Sequence, residues 1–135
     1  MKKSNEMEYC YISVPAKGNV KLISVESDHF ESFHELQNMC DGVFEIVRIP
    51  ALSGVRNDLR MIVNETGKMR KLPLNDVATG LYANPYDCIV GDVGIVTVET
   101  IREDDEPDVY PLPLEDGQRL LKFLQDLRNV MNASK

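Results

Sequence analysis

Two arginines, a lysine and two asparagines in the middle of the chain have the chemistry to hold an anion. Arg48 closes one apolar run and Arg60 lies in the next. If the two runs pair as strands, their guanidiniums approach on one sheet surface and suit a phosphate or carboxylate bidentately. Lys68 follows the turn after the second run, and Asn64 and Asn75 bracket that stretch with amide donors and acceptors. Between Arg48 and Lys71 six bases stand against two acids, Asp58 and Glu65. A plainer reading covers the same residues: solvated bases or partners for Glu45 and Glu65, turn support for Asn64, and helix capping for Asn75.

The opposite charge is gathered elsewhere. Glu103, Asp104, Asp105, Glu106 and Asp108 belong to a 99–116 segment with eight acids and one base, which accounts for the whole net charge of −7. The segment lacks the alternating ligands and turn glycine of a calcium loop. It reads as a solvated loop or as a negative surface offered to a basic partner.

Other chemistries find no set of residues. Cys10, Cys40 and Cys88 are widely spaced, with no CxxC pair and no histidine at metal-ligand spacing, so they read as small buried hydrophobes. His29 and His34 are five apart and miss a common helix face, so no metal is expected there. Glu31 and Glu35 share a face but read as surface acids. No phosphate loop, dinucleotide fingerprint, HExxH, EF-hand or G-x-S-x-G motif occurs, so the chain reads as non-enzymatic and without a cofactor.

These residues need elements to position them. A length of 135 residues suits one domain, 1–135, with an apolar fraction of 43% for its core. Residues 9–14 and 20–25 read as strands joined by a Pro-Gly loop, after a frayed start at 1–8. A helix over 28–40 is expected, with Asp28 and Glu31 as a capping box and Gly42 as its left-handed end. Residues 43–49 carry apolar side chains on both faces, the pattern of a central strand. Residues 59–63 form the next strand, with Leu59, Met61 and Val63 on one face and Arg60 and Ile62 on the other. Gly67 is assigned a positive φ in the following turn, and 68–72 a short returning strand. Asn75 caps a short helix from Asp76. Residues 88–90 and 93–98 read as the last strands, and 99–114 as an acidic loop containing prolines. In 115–131, Leu120, Leu121, Leu124, Leu127 and Met131 make an apolar stripe, either core or a homodimer seam. Lys122, Arg128 and Lys135 suit the C-terminal end of its dipole. The fold expected is α+β: a mixed, mainly antiparallel sheet of five or six strands with the two longer helices packed on it.

The order of elements and several landmarks resemble a small uncharacterised domain family carried by phages, plasmids and conjugative elements of bacteria. The landmarks are Glu35-Leu36-Gln37 with Gly42, Asn64-Glu65 with Gly67-Lys68, Leu72-Pro73-Leu74-Asn75, and Gly91-Asp92 before Ile95-Val96. They cover about residues 20–98 and transfer no catalytic residue. The resemblance implies an accessory gene product of a mobile element, found beside counter-defence functions. The expected function is therefore inhibition of a host or defence protein by binding it; the alternative is sequestration of a nucleotide or signalling anion. A pI of 4.8 without interleaved aromatics argues against nucleic acid. The absence of an apolar run of about 18 residues argues against a membrane span. Without the apolar region of a signal peptide, the cytoplasm is the expected location.

Overall fold

Alternating burial makes Tyr9–Val14 (β1) a strand, with Cys10, Ile12 and Val14 fully buried and the residues between them half-exposed. In the computed structural model, which describes residues 8–99 and 108–134, β1 pairs antiparallel with Lys21–Val25 (β2). The chain continues through helix α1 (Phe33–Cys40), β3 (Phe44–Arg48), β4 (Leu59–Asn64), helix α2 (Asp76–Leu81) and β5 (Val93–Glu99). It ends with β6 (Asp108–Tyr110), β7 (Leu112–Pro113) and helix α3 (Leu114–Ala133). The fold is α+β, a seven-stranded sheet whose core order is β2-β1-β5-β4-β3, with β6 on β5 and β7 on β1. Every described strand pair is antiparallel.

Strand alternation divides the core into two layers. Ile12, Val14, Met61, Val93 and Ile95 face α2 and α3, whose Val77, Ala78, Leu81, Leu120 and Leu124 complete the larger cluster. Ile62 and Val96 face the other way and are covered by Leu36, Met39 and Cys40 of α1. The stripe on α3 is therefore core: Leu120 and Leu124 are fully buried, and Leu121, Leu127 and Met131 pack against the cluster. Each full burial contributes about 1.5–3 kcal/mol. Gly117 lets α3 approach β1, because a side chain there would collide with the Cys10 sulfur.

Several local expectations are corrected. Helix α1 starts at Phe33, with Ser32 and Glu35 as its capping box; Phe30 lies outside it, edge-on to Tyr11 at 6.3 Å. The chain has a second S/T/D-x-x-E pattern four residues after the first, and it is this one that caps the helix. Asp41, not Gly42, is the left-handed cap at φ 59. Strand β3 is an edge strand, not a central one, pairing among the described residues only with β4. Gly67 has no positive φ; a Cβ there would meet Val90 Cγ2 at 2.8 Å, so close approach explains the glycine. Residues 68–71 are turn rather than strand, and 88–90 contribute only an isolated Leu74–Val90 bridge. Within the expected acidic loop, 108–113 instead forms β6 and β7. Glu8, placed in the frayed start, accepts a backbone hydrogen bond from Leu114 at 2.8 Å.

Candidate functional site

The β3–β4 register sets Arg48 directly opposite Arg60. Both lie on the sheet face that carries Ile46 and Ile62, the side on which α1 packs. Arg48 is exposed and Arg60 is half-buried. The Arg60 Nη1 donates to the carbonyl of Leu59 at 2.7 Å and reaches that of Asn57 at 3.4 Å. Burial and then the Arg48 charge hold the Arg60 guanidinium below the usual arginine range. Like charges directly opposite across a strand pair repel and destabilise it.

The Asp58 charge offsets that repulsion only in part, ranking behind burial and Arg48 in its effect on Arg60. Asp58 binds Arg56 bidentately, with Nε–Oδ1 at 2.8 Å and Nη2–Oδ2 at 2.6 Å. Arg56 in turn donates to Asp116 of α3 at 2.9 Å. This hydrogen bonding holds the Asp58 carboxyl below its ordinary range and raises the Arg56 guanidinium. Among the described residues, no carboxylate lies within ion-pairing distance of Arg48 or Arg60.

The other anion-binding candidates go elsewhere. Asn64 sits at the far end of β4, about 13 Å along the strand from Arg60 at roughly 3.3 Å per residue. Its Nδ2 donates to the carbonyls of Cys40 and Asp41 at 3.0 and 3.2 Å. Its Oδ1 accepts from the Thr66 backbone and hydroxyl at 2.8 and 3.1 Å. The amide is fully occupied in holding the α1–β3 corner to the 65–71 turn. Lys68 is ion-paired to Asp87, which raises the ammonium and lowers the carboxyl. Asn75 is fully buried on the α2 and α3 side. It caps α2 through Ala78 at 3.1 Å and donates to the carbonyls of Val14 and Gly91, both at 2.9 Å.

Arg128 joins that buried cluster, and sequence reasoning placed it in the wrong role. It is 5% exposed, not a solvated base near the helix end. Its guanidinium donates to the carbonyls of Gly18 and Pro15 at 2.6 and 2.8 Å, reaches Asn75 Oδ1 at 3.4 Å, and lies 3.4 Å from Asp76. It ties the β1–β2 loop, the start of α2 and the body of α3 together. One signal was available: a base at position 128 falls between the stripe residues Leu124 and Met131.

Of the acidic candidates, Asp108 opens β6 opposite Glu99, so two carboxylates face each other at the neck of the β5–β6 connection. Glu103, Asp104, Asp105 and Glu106 lie outside the described residues. Burial, with the Asp116 charge second, pushes the Cys10 thiol up to about 11, and burial also raises Cys40, which opposes a thiolate role. Among the described residues no group of three or more His, Cys, Asp or Glu could hold a metal ion. No helix among them is long and apolar enough to cross a membrane.

The described residues thus form an α+β domain with a buried polar cluster around Asn75 and Arg128 and a cross-strand guanidinium pair, exposed at Arg48 and half-buried at Arg60. The chain belongs to the DUF3846 family, a domain of unknown function, matched over residues 8–121. That span is wider than the 20–98 covered by the landmarks and takes in β1 and the 99–116 segment. No curated protein and no solved structure matches the chain.

Proposed function

We propose that this protein is a non-enzymatic binding protein that acts by occupying a host or defence protein, as a counter-defence accessory of a phage or other mobile element working in the bacterial cytoplasm. The observation that carries the reading is the cross-strand Arg48–Arg60 pair. Two guanidiniums facing each other with no ion-paired carboxylate among the described residues cost the fold stability, and an anionic group on a partner relieves both. Arg48 is exposed at the sheet surface, which favours a protein surface over an enclosed small ligand. The Glu103–Glu106 run offers the opposite sign to a basic region of the same partner. The mobile-element setting rests on the resemblance of the landmark residues.

A quantitative pull-down from an infected bacterial lysate tests this. The wild type is expected to capture a partner that Arg48→Glu/Arg60→Glu loses while keeping its melting temperature. Neutralising Glu103 to Glu106 should weaken the same capture. Capture indifferent to both changes overturns the reading. The second reading, sequestration of a nucleotide or similar anion, draws on the same two guanidiniums. A thermal shift with mononucleotides, cyclic dinucleotides or NAD derivatives, abolished by Arg60→Ala, would put it first.

A further inference from the structure

Strand β3 has the composition of an interior strand and the position of an edge strand. Phe44 and Ile46 pack toward α1 while Val47 and Ile49 belong to the larger core, so both faces are apolar. An edge strand of this kind presents unpaired backbone groups flanked by side chains ready to extend two cores. Among the described residues, only β4 pairs with it. Arg48, backed by Arg60 on β4 and ion-paired to no carboxylate among the described residues, marks one end of the same edge.

We infer that the free edge of β3 accepts an extended acidic segment of the protein partner as an added antiparallel strand. The inference rests on the binding-protein reading and specifies what is bound. The β3 side chains dictate the pattern of the segment. Opposite residues share a face, so an acid is required opposite Arg48, where it also reaches toward Arg60. Apolar residues belong opposite Val47, Ile46 and Phe44, and a base opposite exposed Glu45. Read along the added strand, this is acid, apolar, apolar, base, apolar, as in Glu-Val-Ile-Lys-Val. Main-chain hydrogen bonds supply affinity and the alternating side chains supply selectivity. Antiparallel addition continues the pairing of the sheet and is the more stable form.

A second copy of the chain fits less well. Antiparallel pairing of β3 with itself on a twofold axis at Ile46 places each Arg48 opposite a Phe44 of the other copy. It brings four guanidiniums to one surface and supplies no carboxylate to any of them. Charge complementarity therefore favours the acidic segment.

The test is fluorescence anisotropy with a labelled peptide containing Glu-Val-Ile-Lys-Val and the full-length chain. Binding is expected, weakened about tenfold or more when the peptide Glu becomes Lys or the protein carries Arg48→Glu. Combining the two reversals should restore it. N-methylation of the peptide backbone at the pairing positions should abolish binding, because strand addition needs those N–H groups. Retained circular dichroism and melting temperature of Arg48→Glu exclude unfolding as the cause. Absent binding, or binding indifferent to N-methylation, overturns the inference. So does light scattering that shows a dimer dissociated by Ile46→Lys. If the peptide fails while lysate capture still depends on Arg48 and Arg60, strand addition falls and the binding-protein reading stands. If capture is also independent of them, both fall.

Discussion

Arg128 and the Arg48–Arg60 pair are the same side chain in opposite settings. Arg128 is buried against two carbonyls, an amide oxygen and a carboxylate, and it locks three chain segments. Arg48 and Arg60 lie on the other side of the sheet, directly opposite each other and ion-paired to no carboxylate among the described residues, while Asp58 is engaged by Arg56. A buried charge must be matched internally or the fold fails. An exposed pair can remain unmatched at modest cost, and in that state it is available to something outside the chain. The contrast separates the residues that build the molecule from those free to act.

The contrast can be broken most directly at Arg128. Arg128→Ala takes the arginine donor from the Pro15 and Gly18 carbonyls and the counter-charge from Asp76, and should cost about 3–5 kcal/mol, read from urea unfolding. A loss below about 1 kcal/mol would place Arg128 among the ordinary surface bases. Asn75→Ala removes the α2 cap and two buried hydrogen bonds and should cost about 2 kcal/mol, with α2 amides losing hydrogen-exchange protection first.

A pH series sharpens the comparison. Pairing with Arg56 lowers the folded value of Asp58 below its ordinary 3.8, so its stabilisation is full above that value and fades as pH falls through the lower folded one. The urea midpoint should drop over that acid range, and Arg56→Gln should flatten Asp58's share of the drop. An unchanged acid limb in Arg56→Gln would remove the pairing from the account. The smallest effect has the opposite sign. Arg48→Glu turns a repulsive cross-strand pair into an attractive one and should raise stability by about 0.2–1 kcal/mol while abolishing partner binding. A destabilised Arg48→Glu protein would show that the pair is not strained.

Much of this was legible along the chain, and the failures have physical causes. The facing of β4 followed from alternation alone, because its two faces meet two separate cores. The cap at Asn75 was readable because a capping bond reaches only three residues. The start of α1 was not, because two capping boxes stand in tandem and local sequence does not choose between them. Strand β3 misled because apolar residues on both faces report coverage, not position: α1 and the larger core cover it while no second described strand pairs with its outer edge. Of the five anion-binding candidates, Arg48 and Arg60 met and the others did not. Asn64 and Asn75 are absorbed by backbone groups brought from 23 and 61 residues away, contacts that no local pattern encodes.

Periodicity, turn chemistry and capping, all interactions within a few residues, determined the α+β class, the strand faces and the register-ready placement of Arg48 and Arg60. Which strand stands at the edge, which arginine is buried and which carboxylate is already engaged were decided by the tertiary structure. Those outcomes depend on desolvation and on partners distant in sequence, and burial changes the cost of a charge far more than any neighbour along the chain does.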